Sequence, residues 1–227
     1  MLIVIPDLLP RAEALALRET LLAASWVDGN VTSGAGAALA KKNRQLPDDG
    51  EAAIQARAAI TRALASNAQF LSAALPRTVF PPLFNRYGPG ERFGAHVDNA
   101  IRLDPASGQR IRTDLSATIF LTDADDYEGG DLVIEDEFGG RAYKPDAGSM
   151  LLYPSSSLHR VAEVTKGERV SCFLWLESMV QDGAARAMLY DLDQSVQRLT
   201  ASLGADDSEV LRLTQLYHNL MRRWATA

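Results

Sequence analysis

Three residues of this 227-residue chain have the types and spacing to hold a catalytic metal: His96, Asp98 and His159. His96 and Asp98 stand two apart, so on a strand both side chains leave the same face and converge on one point. Two ligands do not hold a catalytic metal, and His159 is the good candidate for a third. Two imidazoles and a carboxylate with coordination positions left open form the facial triad of non-heme Fe(II) oxygenases. A His-x-Asp alone says little, since a His bonded to an Asp in a surface turn looks the same. Zinc also accepts this ligand set, with a water in its open position, so the choice of metal needs a further residue.

That residue is Arg169. The runs from Leu158 to Val164 and from Glu168 to Leu176 read as two strands joined by Thr165-Lys166-Gly167, with Gly167 at the left-handed position of a three-residue hairpin loop. Direct pairing then sets Val164 against Glu168, Glu163 against Arg169 and His159 against Phe173, which puts Arg169 on the His159 face. The offset is four residues, or ~13 Å along the strand. A buried Arg on a metal face requires an anion. The gap suits a short dicarboxylic acid that chelates metal at one end and meets the guanidinium bidentately at the other, as 2-oxoglutarate does. The competing reading pairs Arg169 with Glu163. With the triad present, the cosubstrate reading is preferred, and with it Fe(II) over zinc. The 2-oxo acid and O2 fill the open positions, and oxidative decarboxylation to succinate and CO2 drives hydroxylation of a C–H bond. The protein supplies orientation and a dry cavity.

Further residues fall around this centre. Tyr87, across the Gly88-Pro89-Gly90 turn, either presents its hydroxyl to a cosubstrate carboxylate or serves as a half-buried sheet aromatic. Thr118 and Ser116 lie on the polar face of their strand and line the same cavity. Gly94 leaves room beside the metal, and Trp175 forms a wall. His218 reads as an ordinary helical histidine.

The elements that position these residues fall into three stretches. Residues 1–77 form a helical brace: a strand at Leu2–Ile5, a helix capped by Asp7 and running to about Ala24, a Gly/Ala/Ser-rich loop from Gly29 to Leu39, a basic run at Lys41-Lys42-Asn43-Arg44 that is either a solvated loop or an acidic-substrate contact near the mouth of a site, and Ala-rich helix between Asp48 and Leu75. Residues 78–178 alternate short strand-like runs with turn signals, including Thr78–Tyr87, Arg92–Asp98 and a second Gly-rich turn at Phe138-Gly139-Gly140, which points to a jelly-roll barrel. In one of these runs Leu115, Ala117, Ile119 and Leu121 alternate with Ser116, Thr118 and Phe120. Asp123, Asp125 and Asp126 miss the spacing of a calcium loop and read as a solvated turn. Residues 179–227 hold two amphipathic helices separated by Gly204, a packing or dimerisation hairpin.

A net charge of -6 argues against a broad nucleic-acid or anionic-membrane surface. One cysteine excludes an intrachain disulfide and any zinc site built on several cysteines. The start MLIVIPDLLPR lacks the basic region of a signal peptide, and no apolar run approaches the ~18 residues of a membrane span. A cytoplasmic enzyme is the expectation.

Arg86-Tyr87-Gly88, His96-Val97-Asp98-Asn99, Arg112-Thr113-Asp114-Leu115-Ser116, Gly129-Gly130-Asp131-Leu132, Tyr153-Pro154-Ser155 and His159-Arg160-Val161 together resemble the bacterial PKHD-type hydroxylases. These are Fe(II)/2-oxoglutarate dioxygenases related to prolyl and lysyl hydroxylases. Tyr190-Asp191-Leu192-Asp193 and Gln197-Arg198-Leu199 extend the likeness into the C-terminal helices. The resemblance implies a double-stranded β-helix core with flanking helices, iron at His96, Asp98 and His159, 2-oxoglutarate at Arg169, L-ascorbate as supporting reductant and a link to iron uptake. It sets Phe120 where related animal enzymes often carry a second Tyr, which leaves Tyr87 as the hydroxyl contact. The substrate is a peptidyl proline or lysine, or a small molecule. Arg102, Arg110 and Arg112, in and beside a loop at the cavity mouth, raise an acidic substrate as a hypothesis. The alternatives are a cupin-like metal or 2-oxoglutarate sensor, which has no need of Arg169, and a zinc hydrolase, for which the strand faces place no Glu as general base.

Overall fold

The computed structural model describes residues 1–29, 41–136 and 139–226. Two antiparallel sheets share a cavity between them. The larger runs in the order β1 (Ile3–Ile5), β14 (Met150–Pro154), β10 (Leu115–Phe120), β17 (Arg169–Ser178), β6 (Leu83–Tyr87), β4 (Arg44–Gln45), β2 (Val27–Asp28), with β5 (Pro76–Val79) on the end of β17. The smaller runs β13 (Gly139–Tyr143), β12 (Leu132–Asp136), β15 (His159–Val161), β7 (Arg92–His96), β3 (Lys41–Lys42). Two ribbons complete the set: β11 (Tyr127–Gly129) with β16 (Val164–Gly167), and β8 (Ile101–Leu103) with β9 (Arg110–Arg112). This is the expected β-rich core with flanking helices.

The period-two pattern of β10 separates two environments. Leu115, Ala117 and Ile119 join Leu152, Leu174, Leu176 and the helices α1 (Arg11–Leu22) and α2 (Glu51–Ser66) in one apolar cluster. Phe120 packs on the opposite side with Tyr87, Leu151, Tyr153 and Val161. Full burial of apolar side chains of this size stabilises by roughly 1.5–3 kcal/mol each, so a one-residue slip of β10 would exchange its core and cavity faces at large cost. After α3 (Ala68–Ala74), the C-terminal pair α4 (Gly183–Leu203) and α5 (Ser208–Trp224) packs through Leu189, Leu220 and Trp224 around Leu75 and Val180.

The local departures from expectation have local causes. The first helix starts at Arg11 and not at Asp7, whose φ is +50°. Pro10 disfavours helix at the residue before it and interrupts the bonding ladder. The Ala-rich stretch is split at Asn67, whose side-chain oxygen accepts from the Phe70 amide at 2.8 Å and caps the second helix. Thr78–Tyr87 is two strands because Pro81 and Pro82 cannot donate to a ladder. Asp123 is buried, not solvated: it is held by Arg11 and by the Ala147 amide at 3.2 Å. Lys41-Lys42-Asn43-Arg44 is likewise no solvated loop, since Lys41 and Asn43 are buried and the run carries β3 and the start of β4. Most of the expected Gly29–Leu39 loop, and Phe138 in the expected Gly-rich turn, lie outside the described residues.

One departure reorganises the site. β15 does not pair with β17: it pairs with β12 and β7, while β17 pairs with β10 and β6. The intervening β16 leaves to pair with β11, where Gly129 has φ +71° and approaches the Glu163 carbonyl too closely for any Cβ. Gly167 does take the expected left-handed conformation, at φ +73°.

A second glycine gives a direct test of the close packing. Gly148 has φ +93°, and a Cβ there would lie 2.3 Å from the Leu9 carbonyl oxygen, which belongs to the turn tied down by Leu9 N–H to Gly148 O at 3.1 Å. Gly148→Ala is expected to destabilise the fold by at least about 1–3 kcal/mol, the cost of the backbone conformation alone. Chemical denaturation measures it, and an unchanged midpoint would contradict the contact.

Candidate active site

β7 ends at His96, and the extended segment beyond it carries Asp98 while Val97 points outward, 51% exposed. His159 opens β15, and the register sets His159 directly opposite His96. One donor atom from each of His96, Asp98 and His159 lies within 4.8 Å of the others, and His159 Nε2 is 3.7 Å from Asp98 Oδ2.

Both imidazoles are oriented by their own backbone. His96 Nδ1 lies 2.9 Å from the Gly94 carbonyl, and His159 Nδ1 lies 3.0 Å from the Ser157 carbonyl. A carbonyl can only accept, so Nδ1 carries the proton and the Nε2 lone pair of the neutral ring is left for a metal. Burial, and then the neighbouring His159, lower the pKa of His96 and favour that neutral form. Phe93 stacks on His96 with ring centroids 3.7 Å apart, and Tyr153 meets His159 edge-on at 5.1 Å.

Asp98 is positioned from the opposite sheet. Ser116 on β10 donates to Asp98 Oδ2 at 2.6 Å and lies 2.8 Å from the Ser155 hydroxyl. Outer partners of this kind typically contribute 10–100-fold to metal affinity. Ser116→Ala is expected to weaken Fe(II) binding by about that factor while leaving the fold intact, as anaerobic metal titration and thermal unfolding will show. An affinity equal to wild type would remove Ser116 from the site.

Arg169 enters from the larger sheet. It is 1% exposed, with its guanidinium carbon 5.4 Å from the Tyr87 ring centroid and 5.1 Å from that of Phe120. One terminal nitrogen donates to Ser171 Oγ at 2.7 Å, and Ser171 in turn donates to Asn85. Nε has no partner, and among the described residues no carboxylate pairs with the group. Glu163, the competing partner, is taken by Arg92 at 2.8 Å. Arg169 and His159 thus line one cavity from opposite sheets. The expected shared cavity is present; the expected hairpin ladder is not its cause.

The other expected residues gather there. Tyr87, Ser116, Thr118 and Trp175 all line the cavity. Tyr87 is directly opposite Arg169 in the ladder, and burial pushes its pKa up to about 12, which keeps the hydroxyl protonated. Gly94 supplies the carbonyl that orients His96. His218 sits on α5, away from the triad. Sequence reasoning missed Asn85 and Tyr153 as wall residues, and offered Lys41 only as the second reading of its basic run. The pattern Asn85-x-Tyr87 on one strand face held a signal for Asn85. For Lys41 the basic run was the only signal, because its place comes from pairing with Phe93 across the small sheet. Burial, reinforced by the charge of Arg102, brings the pKa of Lys41 down to about 8.

This fold and this donor set define a class. The model of the 2OG-Fe(II) oxygenase superfamily matches residues 82–177, and that of the PKHD-type hydroxylase C-terminal domain matches residues 183–226. A PKHD-type hydroxylase of Caulobacter sp. strain K31 is 56% identical over 99% of both chains, and one of Rhizorhabdus wittichii is 55% identical over the whole of both. A Pseudomonas putida prolyl-4-hydroxylase aligns over 78% of this chain and 92% of its own, with TM-score 0.55 and 21% identity. A Trichoplax adhaerens prolyl hydroxylase, solved with a hypoxia inducible factor peptide, gives TM-score 0.57 at 17% identity over 82% and 86%. These two likenesses concern the fold alone. The chain belongs to the PKHD-type hydroxylases, a family of 2OG-Fe(II) oxygenases.

Proposed function

We propose that His96, Asp98 and His159 bind Fe(II), that Arg169 with Tyr87 and Thr118 binds 2-oxoglutarate, and that the enzyme hydroxylates a C–H carbon of a small molecule or a peptidyl proline or lysine. The donor set fits this metal, since two imidazoles, each with Nδ1 held by a backbone carbonyl, and a carboxylate leave coordination positions open. The observation that carries the reading is Arg169: a fully buried guanidinium with an unpartnered Nε, in the same cavity as the triad. A buried cation of this kind is costly without an anion. The C5 carboxylate of 2-oxoglutarate answers it.

Fe(II) with 2-oxoglutarate and O2 supplies the oxidative decarboxylation to succinate and CO2 that hydroxylation is coupled to. The chain's own groups orient and shield. Arg169 anchors one end of the cosubstrate, Tyr87 and Thr118 donate hydroxyls beside it, and Ser116 fixes Asp98. Phe93, Tyr153 and Phe173 exclude water from the cavity walls. L-ascorbate as reductant, a cytoplasmic location and a role in iron homeostasis complete the proposal, on the family likeness; among the described residues no helix is long and apolar enough to cross a membrane.

The test is succinate formation by purified protein. Uncoupled turnover that requires Fe(II), 2-oxoglutarate and O2 together supports the reading. Succinate production that survives omission of any one of them, or none at all with metal and cosubstrate bound, contradicts it.

A further inference from the structure

Beside the cavity stands a second guanidinium, that of Arg102. It lies on β8, in the ribbon that follows Asp98 directly. Its guanidinium carbon is 3.7 Å from the ring centroid of Trp175, a cavity wall, and 5.3 Å from that of Phe80. Stacking of this sort occupies the face of the guanidinium plane and leaves its edge donors unused. Among the described residues Arg102 forms no ion pair and its guanidinium donates no hydrogen bond, and its Nε is buried without a partner. The other arginines of the ribbon are spent or remote: Arg112 is held by Asp114 at 2.8 Å and Glu177 at 3.3 Å, and Arg110 is exposed.

Charge says what the free edge is for. Asp98 is within electrostatic reach of Arg102 and acts to keep it charged against its burial. The loaded centre, however, gives Asp98 no charge to spare. The charges of Fe(II) and the 2-oxoglutarate dianion cancel, and Asp98 cancels against Arg169. The charge of Arg102 remains.

We propose that Arg102 is the substrate-recognition residue of this site and that the prime substrate carries a carboxylate, bound edge-on by the guanidinium while Trp175 holds its plane. This rests on the hydroxylase reading above. Because the cation is within electrostatic reach of Asp98 and stacks on a cavity wall, the carboxylate and the carbon to be hydroxylated belong to one small unit, as in a free amino acid.

The experiment uses the full chain loaded anaerobically with Fe(II) and 2-oxoglutarate. Binding of 2-oxoglutarate is titrated first in wild type: failure there sinks the hydroxylase reading and is told apart from failure of this one. The probes are the proteinogenic L-amino acids, their primary amides, and N-acetyl aspartate and glutamate amides, with binding read by ligand-observed NMR. At least one free acid is expected to bind about tenfold or more tightly than its amide. Arg102→Gln should bring that acid down to the level of the amide, and Arg102→Lys should restore part of the difference. Selective binding of the acetylated aspartate or glutamate amides, lost in Arg102→Gln, supports the same pairing with the carboxylate coming from a peptide side chain. Equal binding of acids and amides, acid binding unaffected by Arg102→Gln, or no binding of any acid overturns the proposal. If the glutamine variant fails to fold, Arg102→Lys carries the test. A point cation forms no bidentate fork, so an acid affinity equal to wild type in Arg102→Lys then counts against it.

Discussion

Asp98→Ala is expected to abolish metal binding. The substitution leaves His96 and His159 facing an open space, and two imidazoles without an anion hold Fe(II) poorly. Loss of an outer partner costs about 10–100-fold, so loss of the carboxylate ligand itself should exceed ~100-fold. The fold should survive, because the Asp98 side chain bonds Ser116 and adjoins His159 but supports no core residue. Asp98→Asn separates charge from shape: the amide keeps one oxygen near Ser116 but removes the anion, and its metal affinity should fall between those of wild type and alanine. Calorimetric titration with Fe(II) under argon, beside a thermal melt of each apo protein, measures both. Wild-type affinity in Asp98→Ala would move the metal elsewhere.

Arg169→Ala is expected to remove 2-oxoglutarate binding while sparing the metal. Truncating one partner of a buried, hydrogen-bonded charge pair costs about 2–5 kcal/mol, a loss of roughly 30- to several-thousand-fold in affinity. Two effects on stability oppose each other in the apo protein. The variant empties the space between Tyr87 and Phe120, which costs packing, but it also removes a buried cation that has no counter-ion among the described residues. Arg169→Lys keeps a charge without the planar fork and should bind 2-oxoglutarate weakly rather than not at all. Titration of the cosubstrate into each metal-loaded variant reads the effect; an unchanged dissociation constant in Arg169→Ala would leave the buried guanidinium without a purpose.

Arg169 separates what a sequence carries locally from what only the pairing of distant strands decides. A His-x-Asp, a distant His and an Arg at the start of a strand were legible as residue types, because chemistry restricts what holds iron and what holds a dicarboxylate. The alternation from Leu115 to Leu121 was legible because a strand between core and cavity must separate apolar from polar side chains. The C-terminal helices were legible from their apolar stripes. Which strand pairs with which was not. A hairpin is the local solution for β15 and β17, but here the chain crosses between sheets, and the close approach of Gly129 to Glu163 that permits it lies 34 residues away in sequence. The same limit holds for Lys41: a basic run can face solvent or a substrate, and its burial follows only from its pairing with Phe93. At Asp7 the cause is local: a good capping residue precedes Pro10, and the helix starts at Arg11, three residues beyond the turn that Asp7 would open.

One cavity is proposed to join a His-Asp-His iron site to a 2-oxoglutarate site. Its most direct test is optical absorption of the protein with Fe(II) under argon as 2-oxoglutarate is added. A weak visible metal-to-ligand charge-transfer band that grows and saturates with cosubstrate is the predicted result. If Fe(II) binds but saturating 2-oxoglutarate produces no band, the metal and the cosubstrate do not share one site.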